Sequence, residues 1–199
     1  RNFGTLSQMK RDMMAEVAAT LAFSTIANND KVGVIFFSDK VEKFIPAKKG
    51  KTHVLHIIRE LLSYEPSSTG TDIAQALQYF SNAQKRHCTA FLISDFIGAG
   101  AMYKPLLIAS NRHEVNAIQI YDRREAELPN VGLVKFHDAE TGNDLWIDTA
   151  ITSIRNDYAE AWRRNQDEIQ QLFTRTGVDH VSVRTDEDYV KALMHLFRC

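Results

Sequence analysis

Helix-like and strand-like patterns of apolar residues alternate along most of this chain. From about Leu6 to Ala27 the apolar positions recur at helical spacing, with no proline or glycine between them, which predicts a long first helix. The continuous apolar run from Val32 to Phe37 is typical of a strand that is covered on both faces, as in a parallel sheet. The alternation continues to Tyr121 and predicts an α/β fold of three layers, with a doubly wound, mostly parallel sheet in the middle. The other elements predicted in this part are a short strand at Val41–Ile45, helices at His53–Tyr64, Ile73–Phe80 and Leu106–Asn111, and strands at Ala90–Ile93 and Val115–Tyr121.

The last third of the chain departs from this alternation. Two strand-like runs, Gly132–His137 and Asp144–Asp148, flank a series of turn-forming residues, which predicts an inserted β-hairpin. The elements predicted after the hairpin are a long helix at Ala150–Thr174, a strand at Val181–Val183 and a helix at Asp186–Phe197. The sequence from Thr185 to Asp188 resembles a capping box for this last helix. No repeat or linker interrupts the chain, so residues 1–199 are interpreted as one domain.

Charge and cysteine content narrow the classes of protein and of partner. The chain has 24 Lys and Arg against 25 Asp and Glu, a net charge of -1, whereas binding to nucleic acid through bulk charge needs a basic surface. No apolar run approaches the roughly 20 residues that a membrane-spanning helix requires. The two cysteines, Cys88 and Cys199, form neither a disulfide framework nor a zinc-ligand spacing. We therefore expect a cytoplasmic protein that has no nucleic-acid partner and no membrane-spanning segment in this chain.

Three strand-like runs end in an aspartate: Phe37-Ser38-Asp39, Ile93-Ser94-Asp95 and Ile120-Tyr121-Asp122. Ligands of open α/β sheets bind at the carboxyl ends of the strands, and carboxylates there are natural ligands for a hard cation such as Mg²⁺. Aspartate is also common wherever a strand turns into a loop, so a purely structural role stays open for each of the three.

A loop rich in hydroxyl groups, Ser67–Asp72, leads directly into a predicted helix. Thr71 or Asp72 can cap that helix by accepting a hydrogen bond from a backbone N–H. The same hydroxyls can supply neutral oxygen ligands next to a strand-end carboxylate, and the two roles are compatible.

Motifs for nucleotide binding and nucleophilic catalysis are not found. Gly50-Lys51-Thr52 is similar to the end of a phosphate-binding loop, but Ile45 stands where that motif needs its first glycine, and Pro46 stiffens the segment. The chain has no G-x-S-x-G nucleophile elbow, and neither cysteine has a local catalytic signature.

Three stretches of sequence, Asp30–Asp39, Gly70–Leu77 and Phe91–Phe96, together resemble a von Willebrand factor type A-like domain of the bacterial "domain of unknown function fifty-eight" family. The resemblance extends over essentially the whole chain. It implies a metal-ion-dependent adhesion site, built from an Asp-x-Ser-x-Ser loop after the first strand, a threonine from a second loop and an aspartate from a third. Thr71 matches the second element and Asp95 the third. Such a site binds Mg²⁺ mostly through neutral oxygens, so that an acidic side chain of a partner completes the coordination.

The chain departs from the family in lacking the Asp-x-Ser-x-Ser loop. Alignment with the family places that loop, and the first strand, immediately before Arg1. We therefore expect that the 199 residues are incomplete relative to the native gene product, and that they bind Mg²⁺ weakly or not at all.

The resemblance implies a non-catalytic protein-interaction module that works with a MoxR-type AAA+ ATPase in a chaperone-like or complex-assembly role. One alternative is a metal-dependent phosphoester hydrolase or nuclease, in which Asp39, Asp95 and Asp122 hold two metal ions. Another is a purely structural domain, in which Thr71 only caps a helix.

Overall fold

The computed structural model describes residues 4–68, 70–97, 99–137 and 144–196. The helices are α1 (Gly4–Asn28), α2 (Lys51–Ser63), α3 (Ile73–Ala83), α4 (Tyr103–Ser110), α5 (Arg123–Ala126), α6 (Thr152–Thr176) and α7 (Tyr189–Leu196), with a short 3₁₀ helix at Ala99–Met102. The strands are β1 (Val32–Phe37), β2 (Val41–Lys48), β3 (Thr89–Ser94), β4 (Glu114–Tyr121), β5 (Leu133–His137), β6 (Asp144–Asp148) and β7 (Asp179–Arg184).

A parallel sheet of three strands, in the order β3-β4-β7, forms the centre of the fold. In its register Ile93 lies beside Ile118, which lies beside Val181 on the other side. Residues 115–120 of β4 are all buried, as expected for a strand paired along both edges and covered on both faces. The predicted α/β class with a parallel sheet is therefore confirmed.

Helices cover both faces of this sheet. Successive side chains of β4 point to opposite sides, so each face has its own apolar cluster. One face packs against α3, α4 and α6, and the other packs against α1 and α7. The first cluster includes Leu77, Leu106, Val115, Ala117 and Phe173, and the second includes Val17, Ile118, Ile120, Val183 and Leu193.

The remaining strands form two antiparallel pairs, β1 with β2 and β5 with β6. The pair β5-β6 confirms the predicted hairpin strands, and the predicted turn between them lies outside the described residues. A third apolar cluster packs α1 and α2 against β1 and β2. The described strands form three separate sheets, in which β1 pairs with β2, β3 with β4, and β1 and β3 are not hydrogen-bonded to each other. The finer prediction of a doubly wound, mostly parallel sheet in three layers stays a prediction.

The predicted capping box before α7 is wrong. α7 begins at Tyr189, and Asp188 caps it by accepting a hydrogen bond from the Val190 N–H at 3.0 Å. The hydroxyl of Thr185 donates instead to Asp122 Oδ2, at 2.9 Å.

Candidate functional site

A cleft of about 1770 Å³ lies between β1 and β3. Every residue of both strands lines it, with residues of α1 and α3 completing its walls. Thr71 and Asp95, the two predicted site residues, both line this cleft, together with Ser38 at the end of β1. The loop that carries Thr71 lies against the residues that follow β1, and Asp95 directly follows β3, so both loops border the same cleft.

The loop that carries Thr71 is held against the β1–β2 turn by one carboxylate. Glu42 Oε1 accepts hydrogen bonds from Ser38 Oγ at 2.5 Å, from the Ser67 N–H at 2.9 Å and from Ser67 Oγ at 3.0 Å. The Ser38 hydroxyl is the main cause of a pKa of about 2 for Glu42, so this carboxylate stays ionised and keeps its donors.

Two backbone contacts add to this attachment. The N–H of Asp72 donates to the Ser38 carbonyl at 2.7 Å. Gly70 passes so close to Asp39 that a Cβ at this position would lie 3.3 Å from the Asp39 Cβ. The loop therefore enters α3 along a fixed path.

Asp72 and not Thr71 caps α3, because Asp72 Oδ1 accepts from the Gln75 N–H at 2.9 Å. The sequence left open whether Thr71 or Asp72 caps this helix, and the structure shows that Asp72 does. The interpretation in which Thr71 serves only as a helix cap is contradicted, and the Thr71 side chain lies exposed at the rim of the cleft.

Asp95 follows β3 directly and is paired with an ammonium group. Lys10 Nζ of α1 lies 2.8 Å from Asp95 Oδ2 and 2.5 Å from Glu125 Oε1. The other Asp95 oxygen, Oδ1, accepts from the Ile97 N–H at 3.3 Å, and the Gln119 side chain donates to the Asp95 carbonyl at 3.2 Å. The carboxylate is therefore fixed in orientation by contacts from α1 and from its own loop.

Lys10 is the buried cation of this arrangement, with only 13% of its side chain exposed. Burial by itself would lower the pKa of Lys10, but the charges and hydrogen bonds of Asp95 and Glu125 outweigh it and raise the pKa above its ordinary value. Lys10 therefore carries a positive charge between two carboxylates at any physiological pH.

The turn after Asp95 has an unusual backbone conformation. Phe96 has a φ of 57°, in the left-handed region that non-glycine residues seldom adopt, and its N–H donates to Ser94 Oγ at 3.2 Å. Its ring is fully buried and meets Phe173 edge to face, with 5.1 Å between the ring centroids. Packing of this ring holds the strained turn in place. Strained backbone of this kind often occurs next to functional sites.

The structure does not gather the three strand-end aspartates. Asp122 is buried in a capping box at the start of α5, where its Oδ1 accepts from the Arg124 N–H at 2.8 Å and the Glu125 side chain accepts from the Asp122 N–H. Asp39 is exposed and accepts from Ser38 Oγ. Over the described ranges, no three His, Cys, Asp or Glu side chains come together in a way that could hold a metal ion.

The residues that the structure describes do not by themselves fit a Mg²⁺ site. Mg²⁺ takes six oxygens in near-octahedral order, whereas the two predicted ligands supply one hydroxyl, from Thr71, and one carboxylate, from Asp95. One oxygen of that carboxylate is already bonded to the Lys10 ammonium. The weak affinity expected from the sequence stays a prediction.

The sequence did not single out three residues that shape the site: Lys10, Glu42 and Glu125. A charged residue on an amphipathic helix or at a strand end resembles ordinary solvated surface. The only local signal was the spacing Asp122-x-x-Glu125, a capping-box pattern that places Glu125 beside a strand end.

Comparison with known proteins assigns the chain to a family. The family model "Protein of unknown function DUF58" matches residues 1–168. The chain belongs to the DUF58 family. It is 31% identical over 193 residues to the uncharacterized protein Rv1480 of Mycobacterium tuberculosis, a match that covers 95% of this chain and 60% of that protein. An uncharacterized protein of Mycobacterium avium is 29% identical over 158 residues, covering 77% of this chain and 92% of the relative.

The DUF58 chain therefore spans about 60% of the length of the M. tuberculosis relative. Two solved structures share its fold at low sequence identity. The conserved hypothetical protein BatB of Bacteroides thetaiotaomicron matches with a TM-score of 0.50 and 16% identity, over 93% of this chain and 89% of that one. An aerotolerance-related membrane protein of Bacteroides fragilis, solved with multiple mutations to serine, matches with a TM-score of 0.56 and 17% identity over the same shares.

The second structural match corrects the predicted cytoplasmic location. A fold of this kind occurs in a protein described as a membrane protein, so near-neutral charge and few cysteines do not place such a domain in the cytoplasm. Within the ranges that the structure describes, no helix has the length and apolar character needed to cross a bilayer.

Proposed function

We propose that this DUF58 chain is a non-catalytic protein-interaction module of von Willebrand A-like type, and that the loop edge carrying Thr71 and Asp95 contacts its protein partner. The observation that supports this most is that both residues line one cleft, each on a loop that is fixed by its neighbours. A pre-organised edge of this kind loses little conformational entropy when it binds a partner.

The partner that we propose is a MoxR-type AAA+ ATPase, within a chaperone-like or complex-assembly role. The family resemblance is the basis for this choice. Further oxygen ligands from an Asp-x-Ser-x-Ser loop, expected before Arg1, belong to the same proposal for the full-length protein. Since the described residues alone do not fit Mg²⁺, the contact of Thr71 and Asp95 with the partner is proposed without a metal-dependent step.

The hydrolase alternative gains no support from the geometry. Both oxygens of Asp122 are engaged, by the Arg124 N–H and the Thr185 hydroxyl, and Asp95 is paired with Lys10. A two-metal mechanism needs the three carboxylates clustered around the ions, and no such cluster occurs among the described residues.

The test is a binding measurement between the full-length protein and a purified MoxR-type ATPase of the same organism. We expect Thr71→Ala and Asp95→Asn each to weaken binding about tenfold or more, which corresponds to about 1.4 kcal/mol. Two exposed residues of α6 provide matched controls, Thr174→Ala and Asp167→Asn, which should bind as the unaltered protein does. Equal affinities for all four variants would refute the proposed interface.

A further inference from the structure

The turn before α2 and the start of that helix carry exposed cations. Lys48 ends β2, Lys49 lies in the turn and Lys51 begins α2, and all three side chains are exposed. Among the residues that the structure describes, no carboxylate forms an ion pair with any of them. His53 holds this corner in place, because its Nε2 lies 2.9 Å from the Val32 carbonyl oxygen at the start of β1.

The exposed side of α2 continues this positive surface and adds two leucines. Leu55 is 49% exposed and Leu62 is 69% exposed, and Arg59 is exposed on the same helix. At about 100° per residue, Lys51, Leu55, Arg59 and Leu62 fall within an arc of about 80°, along about 16 Å of the helix. The opposite side of α2 packs into the third apolar cluster. We call the following six residues the basic face: Lys48, Lys49, Lys51, Leu55, Arg59 and Leu62.

The basic face holds four cations and no carboxylate, although the whole chain has a net charge of -1. Glu60 is the single acidic residue of α2, and its carboxylate is paired with Lys43. Near the start of β1, Asp30 is followed by Lys31, which offsets its charge. The positive charge of the basic face is therefore not neutralised by its surroundings.

A broad negative surface suits this arrangement better than a folded acidic protein does. Three of the four cations are lysines, which act as flexible point charges, whereas discrete pairing with carboxylates favours the planar fork of arginine. Exposed leucines between cations are typical of helices that lie on anionic bilayers, where the leucines enter the boundary between headgroups and acyl chains. The cleft between β1 and β3 does not extend to the basic face, so it offers no groove there for a peptide.

We propose that the basic face lies against the surface of an anionic lipid bilayer, with its lysines at the headgroups and its two leucines at the headgroup–acyl boundary. The basic face adjoins the first residue of β1, whereas the loop that carries Thr71 contacts Ser38, beyond the last residue of that strand. Contact with a bilayer therefore leaves the loop edge free, and this proposal does not depend on the proposed function.

Co-sedimentation with lipid vesicles tests the proposal. The purified protein is mixed with vesicles of phosphatidylcholine alone, or with vesicles of equal parts of phosphatidylcholine and phosphatidylglycerol. We expect it to bind the anionic vesicles only, and to bind them less as salt is raised, because salt screens the attraction. Equal binding to both kinds of vesicle would overturn the proposal. Binding to neither would overturn it as well, and is the result expected if the basic face recognises an acidic protein instead.

Charge reversal tests where the contact lies. Lys48→Glu, Lys49→Glu and Lys51→Glu in one protein should lower its affinity for the anionic vesicles on the order of 100-fold. A matched control makes the same change in net charge at three exposed lysines elsewhere on the chain, Lys40, Lys104 and Lys191. The control should keep most of the affinity, and equal losses in the two proteins would contradict the proposal.

Replacement of the two leucines tests whether they enter the bilayer. Leu55→Ser combined with Leu62→Ser should weaken binding to the anionic vesicles about tenfold. Ile108→Ser combined with Met194→Ser, at similarly exposed apolar positions, is the matched control and should bind as the unaltered protein does. Circular dichroism verifies that each variant is folded. An unchanged affinity of the leucine variant would contradict the proposed placement of the helix.

Discussion

The ammonium of Lys10 lies 2.8 Å from Oδ2 of Asp95, although 85 positions separate the two residues in the sequence. Because the same ammonium also contacts Glu125, one cation joins α1 to the loop that follows β3 and to α5, which follows β4. This contact fixes one of the two predicted site residues.

Removal of the Lys10 charge should destabilise the protein. Lys10→Met leaves two partly buried carboxylates without their cation, so we expect the free energy of unfolding to fall by about 1–3 kcal/mol in urea denaturation. Lys10→Arg should retain most of the stability, and Lys85→Met, at an exposed position, serves as the control. If Lys10→Met were as stable as Lys85→Met, the ammonium would have no role in holding the loop.

The same contact should weaken at alkaline pH. The pKa of Lys10 is raised in the folded state, so its stabilising contribution is fully present below its ordinary value of 10.5 and is lost as pH rises through the folded-state value. Unfolding measured against pH should show a decline above 10.5 that is absent in Lys10→Met. If Lys10→Met showed the same decline in stability, the decline would arise from groups other than Lys10.

The Glu42 carboxylate should make the protein sensitive to acid. Its pKa is lowered from 4.5 to about 2, first by the Ser38 hydroxyl and then by contacts with Ser67. A lowered pKa stabilises the fold at pH values above 4.5, and this stabilisation is lost as pH falls from 4.5 towards about 2.

In Glu42→Gln this part of the acid dependence should be missing, whereas Glu65→Gln, at an exposed position near the same loop, should behave as the unaltered protein. Thermal unfolding at a series of acidic pH values measures the difference. Identical acid dependence in Glu42→Gln and the unaltered protein would show that Glu42 does not hold the loop.

Two substitutions at Phe96 separate the effect of packing from that of backbone strain. Loss of the buried ring in Phe96→Ala should cost about 3–5 kcal/mol. Phe96→Gly also loses the ring, but glycine adopts a positive φ without strain, so this smaller residue should give a protein more stable than Phe96→Ala by up to about 1 kcal/mol. Chemical denaturation of both variants provides the comparison, and a less stable Phe96→Gly would argue against a left-handed turn.

His113 should destabilise the fold when it is protonated. Burial is the main cause of its lowered pKa, and nearby Arg112 and His87 lower it further. The stability associated with the neutral ring is present above 6.5 and is lost as pH falls below it. His113→Gln should lose less stability than the unaltered protein between about pH 7.5 and about pH 5.5, with the exposed His56→Gln as control. Equal losses in all three proteins would exclude His113 as the titrating group.

The order of helices and strands could be predicted because it depends on local periodicity. The first helix, the apolar run of β1 and the hairpin strands β5 and β6 all lie within a few residues of their predicted bounds. Each pattern depends only on which positions within a short stretch of chain are apolar.

The contacts that shape the site could not be predicted, since they join distant parts of the chain. Glu42 meets Ser67 across 25 positions, and no periodicity encodes that pairing. The positive φ of Phe96 has no signal in the sequence either, because phenylalanine rarely adopts it. Even the pairing of strands, which separates β1 from β3, depends on tertiary contacts.

A photo-crosslinking amino acid at position 71 of the full-length protein, in the presence of a purified MoxR-type ATPase, tests most directly whether the loop edge touches the partner. The same amino acid at position 174, on the exposed side of α6, is the matched control. We predict that irradiation gives a covalent complex with the ATPase from position 71 and little from position 174. Crosslinking from position 174 but not from position 71 would contradict the proposed interface.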